Sequence, residues 1–243
     1  MAHKRKPSNN LVISFLGDIS LIGKYREFSA KNINPFLKIS SVLQKSTYVV
    51  GNLEALSEGI YGENLLKKTR LKTDLRTLNF LKNIHVNLVT LANNHVYDNL
   101  LDGFEKTLNF LNSNSINYIG AAINTADLNK IYIEKIKSFR LAFLNYVHPD
   151  TKPSIPKNCP IKINEYKTDE IVKDIIFAKK RADYIFLLIH WGHDNSYYPA
   201  PWQRREAKIF IEAGADFIIG HHSHTMQGFE KIGNGYAFYG LGN

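Results

Sequence analysis

A single cysteine, Cys159, stands in a chain of 243 residues, so no intramolecular disulfide can form and nothing marks an oxidising compartment. There is no run of about eighteen apolar residues that could span a bilayer. The basic start MAHKRKPSNN is followed by no apolar leader core, because LVISFLG (residues 11–17) is one strand long and runs into an aspartate. The expectation is a cytoplasmic chain. Gly/Ser linkers, low-complexity tracts and repeats are also missing, which favours one domain over residues 11–243 behind a disordered basic arm over 1–10. GxxxxGK[ST], GxGxxG after the first strand, GxSxG and HExxH are all absent. No helix-turn-helix spacing, finger pattern or aromatic–glycine RNA-binding strand suggests a nucleic-acid partner.

What is present is a sequence 44% hydrophobic, enough for a sizeable core. Its 31 basic and 22 acidic residues give a net charge of +9. Lys4, Arg5 and Lys6 lie in the arm, so the body keeps about +6, a balance that suits an anionic polymer or a phosphorylated saccharide.

Strands and helices alternate along the chain. Apolar runs predict strands over 11–17, 48–52, 86–92, 116–121, 131–136, 139–147, 184–190 and 216–220. Helical spacing predicts helices near 34–46, 71–84, 99–112, 168–181 and 202–213. Pro149, Pro153, Pro156 and Pro160 make 148–160 a long loop, and Asn234-Gly235 predicts a closing hairpin. Alternating βα units imply a mainly parallel sheet, and the β-rich patches imply a second sheet packed on it.

Strand after strand ends in a residue able to bind metal. Asp18 follows the first, Asn52 and Glu54 the second, and Asn93, Asn94 and His95 the third; His190 ends YIFLLIH, and His221, His222 and His224 follow DFIIG. Taken singly, Asp18 is an ordinary turn former, Asn52 a loop residue and His190 a core histidine. Five polar strand ends together are harder to ascribe to chance. In open α/β sheets ligands bind outside the carboxyl ends of the strands, where such tips can meet. Histidines at i and i+2 of an extended segment point to one side and can share a metal. Carboxylate, amide and imidazole donors without thiolate suit Zn²⁺, Mn²⁺, Fe or Mg²⁺, one ion or two, as in two-metal phosphatases and nucleases. His85 reads as surface, His148 falls in the proline-rich loop outside the pattern, and His193 lies near the site in sequence.

LGD (16–18), GNLEA (51–55), TLANNHVYDN (90–99), IHWGHD (189–194), GADFIIGHHSH (214–224) and FYGLGN (238–243) resemble, in order, the blocks of the CapA family of bacterial poly-γ-glutamate capsule synthesis proteins. That family is a branch of the calcineurin-like metallophosphoesterase superfamily, and the resemblance spans residues 11–243. It implies a four-layer α/β/β/α sandwich with a metal site at one edge. It further implies Asp18 as a ligand, Glu54 as the bridging carboxylate, Asn94 as the metal-binding amide, and His190, His222 and His224 as the remaining ligands. His95 would protonate the leaving group with Asp98 orienting its other nitrogen. Asn52, Asn93, His193 and His221 would face substrate, His221 being also the register alternative in the last pair.

Three departures accompany the resemblance. The superfamily's first-strand DxH is Asp18-Ile19-Ser20 here, relatives continue past LGN, and many carry an N-terminal membrane anchor. The expectation is a metal-dependent hydrolase of capsule or envelope polymer, shortened at the C-terminus, cleaving a phosphoester or γ-glutamyl/amide bond. The alternative is a non-catalytic metal- and polyanion-binding assembly protein for a polymer synthase.

Overall fold

The computed structural model describes residues 10–243; the basic arm expected over 1–10 lies outside them except for Asn10. Ten principal strands and seven helices build two sheets and two helical layers. The strands are β1 (Ile13–Ile19), β2 (Tyr48–Leu53), β3 (Leu88–Thr90), β4 (Asn117–Ile119), β5 (Ile131–Ile136), β6 (Phe139–Val147), β7 (Tyr184–His190), β8 (Phe217–His221), β9 (Phe229–Ile232) and β10 (Gly235–Phe238). The helices are α1 (Lys24–Ala30), α2 (Leu37–Leu43), α3 (Leu75–Leu78), α4 (Phe80–Asn83), α5 (Leu100–Ser113), α6 (Thr168–Lys179) and α7 (Pro201–Ala213).

The first sheet runs β1-β2-β3-β4 and is wholly parallel. The second runs β9-β10-β8-β7-β6-β5, parallel in the middle and antiparallel at both edges. β7 shows why such strands read as continuous apolar runs. Its Phe186 and Leu188 enter the layer between the sheets with Val50, Leu88 and Phe143, while Leu187 and Ile189 pack outward with α6 and α7 residues Ile171, Ile175 and Phe210. Both faces are covered, so neither can be polar. The first sheet buries its outer face under Leu81, Phe104 and Leu111. Phe104, Leu108 and Leu111 fall on one stripe of α5, the spacing an amphipathic helix needs. The result is the expected α/β/β/α sandwich.

Three local expectations are corrected. The single helix predicted over 71–84 is replaced by two short turns, α3 and α4. Leu71 N donates to Asp98 Oδ2 (2.7 Å) and Lys72–Thr73 pairs with Leu56–Ser57 as a short strand, so helix can begin only at Asp74. The helix expected over 34–46 shrinks to α2, preceded by an Asn34 Oδ1 turn that takes Phe36 N. In the closing hairpin Ile232 pairs with Gly235, so the two-residue loop is Gly233-Asn234, with Gly233 at φ +55°. α1 has no counterpart among the predicted helices; it is two turns long, with Tyr25 and Phe28 as its core positions.

Asp74 caps α3 by accepting from Thr77 N (2.8 Å), and it also takes Arg26 Nε (3.0 Å). Burial pushes its carboxyl up, but the Thr77 N–H and the Arg26 charge outweigh that and hold it below the ordinary carboxylate value. Asp74→Ala should therefore cost about 1 kcal/mol in urea unfolding at neutral pH. A depressed acid contributes above its unfolded value and loses that contribution as pH falls through the folded one. The difference between parent and variant should close in acid; an unchanged gap would show that the cap charge contributes nothing.

Candidate metal centre

Register brings the strand tips into line: Asp18 pairs with Asn52, Asn52 with Thr90, and His190 with His221. Glu54, Asn94 and His222 follow within a few residues. At Gly17 an added Cβ would stand 2.0 Å from Gly242 O. Only glycine lets the end of the chain lie against β1, where Asp18 N donates to Gly242 O (2.8 Å). That approach delivers Asn243 to the cluster, with its Oδ1 2.9 Å from His224 Nδ1.

The donors form two groups hinged on Glu54. In the first, one donor atom each of Asp18, Glu54 and His224 lie within 4.8 Å of one another. In the second, His190 Nε2 stands 3.0 Å from Asn94 Oδ1, 3.1 Å from His222 Nδ1 and 3.7 Å from Glu54 Oε1. Glu54 is fully buried, and its Oε1 has no hydrogen-bond partner among the described residues. Burial, then the neighbouring Asp18 charge, pushes its carboxyl well above the ordinary range. Two buried carboxyl groups facing three imidazoles, one carboxyl oxygen orphaned, form a site that a divalent cation fits.

The imidazoles respond to the same burial. It holds His190 well below its ordinary value, with His222 adding repulsion, and it lowers His222 and His221 too. His224 differs: burial depresses it, but Glu54, the Asn243 amide oxygen and Asp18 outweigh burial and raise it.

His222 and His224 do converge, though not as neighbours on an extended strand. Both adopt left-handed backbone, φ +90° and +54°, and their ring centroids lie 6.2 Å apart. Such φ values are uncommon outside glycine and accumulate at functional sites. His222 N also donates to Asp18 Oδ2 (2.9 Å), tying the turn to β1.

His95 follows Asn94, close enough to His190 and His224 for their charges to act on one another. Its N–H donates to Asn93 Oδ1 (2.9 Å) and its Nδ1 meets Asp98 Oδ2 at 2.6 Å. Burial lowers its basicity against the pull of Asp98.

Of the residues expected to face substrate, Asn52, Asn93 and His221 are buried in the scaffold. Asn52 lies beneath the cluster, donating to Asp18 Oδ1 (2.7 Å) and accepting from Thr90 Oγ1 (3.1 Å) and Asn93 Nδ2 (3.2 Å). Asn93 is buried on the Leu53 carbonyl (2.9 Å), and His221 is buried with Nε2 3.2 Å from Leu16 O. His193 is exposed; its neighbour Asp194 is the one that reaches the cluster, 3.1 Å from His222 Nε2. His148, outside the sequence pattern, sits at the same edge. Its N–H donates to His190 O (2.9 Å), and its ring stacks on Trp202 with centroids 4.4 Å apart. Ser20 donates to Glu54 Oε2 (2.9 Å).

Two parallel-cored sheets between helical layers, with a carboxylate–amide–imidazole cluster at the strand ends, define an α/β/β/α sandwich with a candidate metal centre at one edge. The family model of the bacterial capsule synthesis protein PGA_cap matches residues 12–243, and the chain belongs to that family. It is 28% identical to the capsule biosynthesis protein CapA of Bacillus anthracis, over 99% of this chain and 61% of that one. It is 29% identical to the PGA biosynthesis protein CapA of Bacillus subtilis (strain 168), over 96% and 62%. The chain thus spans about three fifths of the length of these relatives.

Among solved structures, a hypothetical protein from Thermus thermophilus superposes with a TM-score of 0.61 at 16% identity, covering 96% of this chain and 76% of that one. A phosphatase from Mycoplasma pneumoniae gives 0.55 at 18%, covering 96% and 72%. The NAD nucleotidase of Haemophilus influenzae gives 0.56 at 16%, covering 96% and 45%. At such identities the likeness concerns the fold. Among the described residues no helix is long and apolar enough to cross a membrane.

Proposed function

We propose that the chain is a metal-dependent hydrolase that cleaves a phosphoester or γ-glutamyl/amide bond of a capsule or envelope polymer. The observation that carries this reading is the pair of donor groups sharing Glu54, with the Asp98-held ring of His95 beside them. Asp18, Glu54 and His224 would hold one divalent ion, and Glu54, Asn94, His190 and His222 a second. Such ions supply Lewis-acid stabilisation of charge at the reacting bond. The chain's own groups do the rest. Asn52 and His222 N fix the Asp18 carboxylate, Ser20 fixes Glu54, and the His95 ring offers its Nε2 side to a leaving group while Asp98 holds Nδ1. A body charge near +6 attracts an anionic substrate to the protein.

The second reading, a polyanion-holding assembly protein without turnover, is favoured by Ser20, which offers a hydroxyl to Glu54 where the superfamily has an imidazole ligand. One experiment separates the two. With Mn²⁺ the purified chain should hydrolyse an aryl phosphodiester, and a chelator should remove that activity. Salt-sensitive binding of polyglutamate with no hydrolysis of ester or polymer would sink the enzyme reading and leave the assembly role.

A further inference from the structure

No sequence pattern marks Lys67, which belongs to an irregular strap between β2 and α3. Its ammonium is nonetheless enclosed, with 12% of the side chain exposed. Nζ lies 2.5 Å from Asn94 O, 2.9 Å from His95 Nδ1 and 3.3 Å from Asp98 Oδ1. A buried lysine is costly unless its donors find acceptors. Its acceptors here, Asn94 O and Asp98 Oδ1, both belong to the turn that carries the candidate proton donor; His95 Nδ1 gives its own hydrogen to Asp98 Oδ2 and lies beside the ammonium without accepting from it.

The strap is pinned on both sides of this residue. Asn64 N donates to Asp98 O (2.9 Å), and Asn64 Nδ2 to Ser154 O (2.6 Å). Leu71 N donates to Asp98 Oδ2 (2.7 Å), and Asn99 Nδ2 to Leu71 O (2.9 Å). Arg70 Nη1 also grips the Lys67 carbonyl. These anchors leave the lysine side chain little freedom except inward.

The Asp98 carboxylate divides its two oxygens. Oδ2 takes both His95 Nδ1 and Leu71 N, whereas Oδ1 is buried with only the Lys67 charge beside it. Remove that charge and Oδ1 is left uncompensated in a dry site, free to relax by rotating the carboxylate, and rotation drags His95 Nδ1 with it. The contact to Asn94 O also fixes the peptide between the candidate metal-binding amide and His95.

We propose that Lys67 is a positioning residue: from the strap it locks the Asp98 carboxylate and so sets the aim of the His95 ring at the metal centre. The catalytic sense of this rests on the hydrolase reading above. Lys67 donates inward to the Asn94–Asp98 turn, and because the Asn94 side chain keeps its own contact to His190 Nε2, removal of the lysine should act mainly through His95.

The test is Lys67→Met, with Lys67→Arg as the conservative variant, in the Mg²⁺-supplemented full chain. Long-range ¹H–¹⁵N spectra read the histidine rings, with the His95 signals assigned by their loss in His95→Gln. Lys67→Met should shift the His95 ring signals and leave those of His222 and His224 in place. It should lower kcat about 10–100-fold with KM and bound metal unchanged, and Lys67→Arg should restore most of both. Unshifted His95 signals, or a loss that falls on KM or metal content instead, overturns the proposal. If the parent turns over no phosphoester, the hydrolase reading fails, and the ring signals alone decide whether Lys67 holds His95. Should Lys67→Met not fold, Lys67→Gln takes its place and the same signals decide.

Discussion

His95→Ala should reduce turnover about 10²–10⁴-fold, the usual range for a positioned general acid, while bound metal stays at the parent level. The expectation follows from where the two ring nitrogens go. Asp98 Oδ2 holds Nδ1 at 2.6 Å, and Asn93 Oδ1 fixes the backbone N–H. Nε2 is the nitrogen left for a leaving group. None of the close donor distances around Glu54 includes His95, so truncating it removes no ligand. The fold should tolerate the change, because Asp98 keeps Lys67 and Leu71 N as partners. The measurement pairs kcat with metal content by atomic emission. A fall in metal parallel to the fall in activity would make His95 a ligand. Unchanged activity would remove it from the chemistry altogether.

The sandwich was legible in the sequence because a strand covered on both faces must be apolar throughout, as β7 is. The candidate cluster was legible because strand ends are rigid and polar residues on them are conspicuous. The rest depended on tertiary contact. The helix expected over 71–84 fails because Asp98, 27 residues away from Leu71, captures the amide that would have begun it. Lys67 looks like any solvated lysine until the strap folds onto the Asn94–Asp98 turn. Asn243 reaches His224 only because Gly17 and Gly242 pass within backbone contact. Asn52 and Asn93 show the converse limit. Spacing placed them correctly at the strand tips, but which face of a tip a side chain takes is decided by its hydrogen bonds, and theirs point down into the scaffold. Asp194, one residue from His193 and 3.1 Å from His222 Nε2, shows how narrow that margin is.

Glu54→Gln should reverse the order of stability between parent and variant according to whether metal is present. In chelated protein burial and the Asp18 charge hold the Glu54 carboxyl well above its ordinary range, so near neutral pH folding must protonate it at a cost, and its Oε1 has no partner among the described residues. A neutral amide of the same shape removes that cost and can still accept from Ser20 Oγ. Its removal stabilises by on the order of 1–4 kcal/mol, which for a chain of this size raises Tm by several degrees. With metal the ranking should invert. Binding to the native state stabilises the parent by about 4.1 kcal/mol at a thousandfold excess over Kd, and the variant, lacking the one carboxylate common to both donor groups, should gain almost none. The variant should also lose hydrolysis and bound metal together, unlike His95→Ala. Thermal melts of both proteins with chelator and with saturating Mn²⁺ test this directly. A variant whose Tm still rises with Mn²⁺ as the parent's does would show that Glu54 holds no metal, and the two-group centre hinged on it would have to be abandoned.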